Sequence, residues 1–127
     1  IKSEKKLTFA VEKIYNTINS GKKVLICGNG GSAADAQHLA AEFLIRLRPQ
    51  VNRKAFPVMS LAQDTSTITA CGNDIGFKKI FSRTLSALGN RGDILIAIST
   101  SGNSPNIINV LKESKKKRNI FYIIFRK

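Results

Sequence analysis

The chain has 127 residues, 43% of them hydrophobic, and carries a formal charge of +13 from 21 Lys and Arg against 8 Asp and Glu. That length suits a single domain spanning 1–127, and no apolar run approaches the roughly 20 residues a bilayer span requires, so no membrane helix is expected and the cytoplasm is the expected compartment. The basic residues are dispersed over Lys5-Lys6, Lys22-Lys23, Arg46, Arg48, Arg53-Lys54, Lys78-Lys79 and Lys115 to Arg118, with no helix-turn-helix, zinc finger or aromatic stacking motif among them, so a nucleic-acid partner ranks last. The cysteines, Cys27 and Cys71, lack the close pairing of a zinc knuckle and suit a reducing compartment as small buried residues.

In chain order, Leu7, Val11, Ile14, Tyr15 and Ile18 recur at three- and four-residue steps, which predicts an amphipathic helix over 3–19. Gly21 breaks it, and Lys23 to Cys27 form the first strand. A helix follows from about Ser32 to Leu47, ending in basic residues and Pro49, and residues 48–55 form a loop. Pro57 to Leu61 is the second strand. Asp64-Thr65-Ser66 looks like the capped start of a short helix that ends at Cys71-Gly72, with Asn73 and Asp74 in a glycine-flanked turn after it. After a turn at Gly76-Phe77, residues 78–88 form a helix stopped by Gly89. Asp93 to Ser99 is the third strand, Ser104 to Lys117 a helix and Ile120 to Phe125 a fourth strand. Strands alternating with helices predict parallel βαβ units stacked as a three-layer αβα sandwich, and continuous apolar strands suit a sheet covered on both faces.

Two junctions carry the functional signal. The first runs from Val24 through Cys27-Gly28-Asn29-Gly30-Gly31-Ser32 into an alanine-rich helix. A glycine turn of this kind directs backbone N–H groups outward at the positive end of a helix dipole, where an anion binds. Its spacing is neither the Rossmann G-x-G-x-x-G nor a P-loop, and a tight connection with no ligand explains the spacing equally well. The second junction is Ser99-Thr100-Ser101-Gly102-Asn103-Ser104-Pro105-Asn106, with Ser104 suited to the N-cap and Pro105 to the first helical position. Capping explains Ser104 but not the whole hydroxyl cluster. Ligands of open α/β sheets gather beyond the carboxyl ends of the strands, so the two junctions are expected on one edge. His38 and Glu42 lie four apart and share a helix face. By itself such a pair reads as a surface contact; behind a phosphate site it can hold a metal or move protons.

These residues, with Gly72-Asn73-Asp74-x-Gly76-Phe77 and Phe81-Ser82-Arg83, resemble the phosphoheptose isomerases of the sugar isomerase (SIS) domain family, in order and over most of the chain. The resemblance implies a flavodoxin-like sandwich and conversion of sedoheptulose 7-phosphate to D-glycero-D-manno-heptose 7-phosphate for bacterial lipopolysaccharide or capsule. It implies zinc held by His38 and Glu42, with Glu42 also touching substrate; moving a proton between adjacent carbons needs a base beside the carbonyl, and Glu42 is expected to be that base, with His38 the other catalytic residue. Substrate would be bound by Asn29, Gly30, Gly31, Ser32, Asn73, Asp74, Ser99, Thr100, Ser101 and Ser104, in a homotetramer whose interface uses the opening helix. A glutamine and a histidine that complete the zinc shell in these isomerases have no counterpart before Lys127; either the C-terminal part is missing, which is the expectation, or the chain is a truncated relative that cannot isomerise. The competing expectation is a non-catalytic SIS module that binds a phosphosugar or a partner protein such as a replication initiator. Retention of His38 with Glu42 favours the enzyme.

Overall fold

The computed structural model describes residues 2–118 and 120–125. Its elements are α1 (Lys2–Asn19), β1 (Val24–Gly28), α2 (Gly31–Leu44), β2 (Val58–Ser60), α3 (Thr65–Asp74), a 3-10 turn (Phe77–Lys79), α4 (Ile80–Leu88), β3 (Ile94–Ser99), α5 (Pro105–Lys116) and β4 (Ile120–Phe125). The four strands form one parallel sheet in the order β2-β1-β3-β4. The chain therefore steps outward from β1 to β2, then back across β1 to β3. The crossover direction reverses between β1 and β3, which is where such sheets open a crevice for ligand.

Successive residues along a strand point to opposite faces, so β1 and β3 divide their side chains between two cores. On one face Val24, Ile26, Ile94, Ile96 and Ile98 pack against Ala36 and Ala40 of α2, with Ile14 and Ile18 of α1 behind. On the other, Leu25, Cys27, Leu95 and Ala97 meet Phe81 and Leu85 of α4 and Ile107 and Val110 of α5. Burial on both faces is why these strands read as unbroken apolar runs rather than as alternations.

At the amino-terminal edge β1 and β3 are tied by charge. The Lys23 Nζ lies 2.7 Å from Asp93 Oδ2, and the Asp93 carboxylate also accepts from the N–H groups of Lys23 at 3.1 Å and Asn90 at 2.7 Å. Asp93 is 1% exposed, and this set of donors is what makes a buried carboxylate tolerable there.

Several expected boundaries shift. α2 stops at Leu44 rather than Leu47, because the Arg53 guanidinium donates to the carbonyls of Glu42 and Phe43 and closes the helix end. α3 begins as expected, with Asp64 at the N-cap accepting from Ser66 N–H at 3.0 Å, but it continues through Gly72 to Asp74. The stop is set by Gly76, whose φ of +109° favours glycine and whose N–H reaches Cys71 O at 2.8 Å. The helix predicted from residue 78 opens as the 3-10 turn and becomes α-helical at Ile80. α1 only partly covers the sheet: Leu7 is 67% and Tyr15 65% exposed, and Phe9 and Val11 are exposed too.

Candidate functional site

Gly28 of β1 stands opposite Ile98 of β3 in the register, so the two junctions leave the sheet side by side at its carboxyl edge. The first requires glycine for two separate reasons. A Cβ on Gly28 would come within 2.7 Å of the backbone of Ser32, because the first turn of α2 folds back onto the strand end. Gly30 holds φ at +53° to begin the helix, a conformation side chains disfavour. Within the turn, Ser32 N–H donates to Asn29 O and the N–H groups of Ala33 and Ala34 donate to Gly30 O. Among the described residues no backbone acceptor bonds the N–H groups of Gly30 or Gly31, which remain at the positive end of α2.

In the second junction the Ser99 Oγ accepts from Gly102 N–H at 3.0 Å and the Ser101 Oγ from Asn103 N–H at 3.2 Å, folding the loop back on itself. Ser104 takes the N-cap position and Pro105 the first helical one, as expected, yet the Ser104 hydroxyl makes no capping bond. Its oxygen is available to something outside the helix. Thr100 and Ser101 are exposed at the tip. Neither junction carries an ionisable side chain between Gly28 and Ala34 or between Ser99 and Leu111, so any anion would be met by amides, hydroxyls and helix dipoles.

The junctions are joined across the crevice. Asn29 Nδ2 donates to Asn106 Oδ1 at 3.0 Å and Asn106 Nδ2 returns a bond to Asn29 Oδ1 at 2.7 Å. Asn106 is 2% exposed, and its Oδ1 also accepts from Ile107 N–H at 3.0 Å. Sequence reasoning did not select Asn106: its residue type is ordinary after a Pro-started helix, and the partner lies 77 positions away.

His38 and Glu42 meet as their spacing predicts, with Nε2 3.4 Å from Oε1. The imidazole is 79% exposed and faces away from the interior. The other oxygen, Glu42 Oε2, is buried without a hydrogen-bond partner. A desolvated carboxylate oxygen lacking a donor calls for a cation or a proton. Both side chains line a cavity of about 370 Å³ with Leu39, Phe43, Leu47, Arg53 and Phe56. Arg53 is the second residue the sequence did not reveal as a site element; besides closing α2 it stacks over the Phe56 ring at 4.5 Å. The cavity draws on α2 and the segment before β2, and neither junction lines it. At about 1.5 Å of rise per residue, His38 stands roughly 10 Å and Glu42 roughly 16 Å along α2 from Gly31.

Zinc is usually held by four groups, or by three and a water. His38 and Glu42 fit two of those positions, the unpartnered Oε2 being the donor that a metal would satisfy. Among the described residues no group of three His, Cys, Asp or Glu gathers. Asn73 and Asp74 lie in the last turn of α3, not in the loop expected for them; both are exposed, and Asn73 Nδ2 donates to Asp74 Oδ1 at 2.8 Å. Cys27, at the end of β1, is pushed up to about pKa 12 by burial and stays a neutral thiol. No helix among the described residues is long and apolar enough to cross a membrane.

Comparison with known proteins bears on the family and the fold. The family model described as SIS domain matches residues 2–121. A phosphoheptose isomerase of Chlorobaculum parvum is 56% identical over 81% of this chain and 49% of its own length. One of Campylobacter concisus is 53% identical over 87% of this chain and 57% of its own. Among solved structures, phosphoheptose isomerase GmhA from Neisseria gonorrhoeae superimposes with a TM-score of 0.82 at 42% identity, covering 90% of this chain and 58% of that one. A phosphoheptose isomerase from Francisella tularensis gives 0.85 at 38% identity, covering 90% and 59%. The chain thus spans about half to three-fifths of the length of these relatives. On the extent of the family match, the chain belongs to the SIS domain family.

Proposed function

We propose that this chain is the sugar-phosphate-holding part of a phosphoheptose isomerase, which converts sedoheptulose 7-phosphate to D-glycero-D-manno-heptose 7-phosphate for heptose in lipopolysaccharide or capsule. The observation that carries the reading is the pairing of two anion-ready junctions at the β1/β3 crevice, with a helix from one of them bearing His38 and Glu42 in contact. The names of the relatives support the substrate.

Ketose-to-aldose isomerisation removes a proton from C1, beside the C2 carbonyl, and returns one to C2 through an enediol. A carboxylate within reach of both carbons suffices as base and then acid. Glu42 takes that role, with His38 beside it to orient the carboxylate. Gly30, Gly31, Ser32, Ser99, Thr100, Ser101 and Ser104 hold the substrate, and binding energy from its phosphate end positions the reacting carbons. Asn73 and Asp74 reach sugar hydroxyls. His38 and Glu42 would hold zinc, whose contribution when bound is Lewis-acid polarisation of the carbonyl. The remaining ligands have to come from protein outside the residues described.

The protein works as a homotetramer in the cytoplasm on this reading. The exposed Leu7, Phe9, Val11 and Tyr15 of α1 favour assembly, and two unbridged cysteines suit a reducing compartment. Contact between His38 and Glu42 favours the enzyme over a module that only binds a phosphosugar or a replication initiator. The test is sedoheptulose 7-phosphate turnover by the full-length protein, with metal analysis. Glu42→Gln should lower kcat by about 10²- to 10⁴-fold while the sugar phosphate still binds. Unimpaired turnover would remove Glu42 from the chemistry.

A further inference from the structure

We propose that Asn106 is a positioning residue of the phosphosugar crevice: with Asn29 it forms a reciprocal amide clasp that sets the spacing of the two junctions and withdraws the Asn29 side chain from the substrate. This rests on the function proposed above. It also departs from the resemblance, which places Asn29 among the substrate-binding residues.

An asparagine amide offers two N–H donors and an oxygen with two acceptor positions. The Asn106 oxygen is fully used, by Asn29 Nδ2 and by Ile107 N–H. The Ile107 bond fixes which way the Asn106 amide faces, since a flip would set its NH₂ against a backbone N–H. That choice in turn fixes the Asn29 amide, whose oxygen must accept and whose nitrogen must donate. Orientation thus passes from the backbone of α5 through two side chains to the turn after β1. The Asn29 amide is engaged edge to edge with a buried partner, so position 29 meets ligand through its backbone. The N–H groups of Gly30 and Gly31 and the hydroxyls of the second loop are then held at one separation.

A spacer of this kind has to be neutral. A carboxylate between the two anion-binding turns would oppose the ligand at close range, whereas paired amides join the turns without adding charge. An apolar contact would hold less well to one distance, because hydrogen bonds between planar amides constrain both separation and angle.

The test is a double-mutant cycle in the full-length protein with Asn29→Ala, Asn106→Ala and the pair. Affinity for inorganic phosphate and KM and kcat for sedoheptulose 7-phosphate are read beside the urea midpoint. Each single substitution should weaken phosphate binding about tenfold, and the double no more than the worse single, because both remove one clasp. Should Asn106→Ala fail to fold, Asn106→Ser, whose hydroxyl can still accept from Ile107 N–H, takes its place in the cycle with the same outcomes expected. The proposal is overturned if Asn29→Ala is far worse than Asn106→Ala, which would mean direct contact with substrate. Multiplying effects, or a lower urea midpoint with unchanged phosphate affinity, overturn it as well. A wild type that binds phosphate but does not turn over the heptose phosphate defeats the proposed reaction and leaves the cycle readable through phosphate. One that binds neither removes both.

Discussion

β1 and β3 are tied together at both ends, and the two ties are chemically opposite. At the amino-terminal edge the tie is the ion pair of Lys23 with the buried Asp93; at the carboxyl edge it is the neutral pair Asn29 and Asn106. Both hold the same two strands, so strand registration alone does not call for the difference. The amino-terminal edge tolerates a carboxylate once its donors are in place. The carboxyl edge is bordered by helix N-termini and hydroxyls, and a fixed negative charge would work against an anion bound there. Mechanical work at the amino-terminal edge and binding at the carboxyl edge are therefore separable by mutation.

The largest expected effect is at the amino-terminal tie. Asp93→Ala leaves the Lys23 ammonium and two backbone N–H groups without their acceptor, and should cost about 3 kcal/mol or somewhat less given partial exposure of Lys23, read by urea unfolding. Phosphate affinity of the folded fraction should not change; a parallel loss would merge the two edges into one unit. Gly28→Ala comes next. The 2.7 Å approach to Ser32 forces the first turn of α2 outward, with a loss of about 1–3 kcal/mol and weaker phosphate binding, so this change should move both readouts.

Asn106→Asp sharpens the comparison further, since it keeps the size of the side chain and one of the two bonds but introduces charge. It should weaken phosphate binding about tenfold more than Asn106→Ala, with the excess shrinking as salt is added. Equal effects in the two variants would mean that neutrality at this edge is immaterial. The smallest effect concerns Asp64, away from both ties. Hydrogen bonding from the Thr67 hydroxyl, with help from backbone N–H groups, lowers its pKa from the ordinary 3.8. A carboxyl whose folded value is depressed stabilises above its unfolded value and loses that contribution as pH falls through the folded one. Wild type and Asp64→Asn should accordingly differ slightly at neutral pH and converge in strong acid. A difference that persisted in acid would assign the effect to something other than ionisation.

What was legible in the sequence follows the range of the interaction responsible. The Asp64 cap, the Ser104-Pro105 helix start and the His38–Glu42 contact are set within a few residues, and each is found where the spacing places it. The common edge of the two junctions was legible too, because βαβ connectivity dictates it. The early end of α2 was not, since the group that closes it is Arg53, beyond the loop. Gly72 reads as a stop and so puts Asn73 and Asp74 in a turn; α3 runs through that glycine and halts only where Gly76 takes positive φ. Asn106 became visible only once the fold brought Asn29 to it. Closure of the α2 cavity around Glu42 likewise depends on Arg53 and Phe56 arriving from the segment before β2.

The central claim is that both junctions grip one phosphate. The most direct measurement is an NMR titration of the full-length protein with inorganic phosphate, following backbone amides. The account predicts that Gly30 and Gly31 shift together with Ser101, Gly102 and Ser104 along one saturation curve. Movement of one junction while the other stays fixed, or two curves with unrelated midpoints, would contradict it.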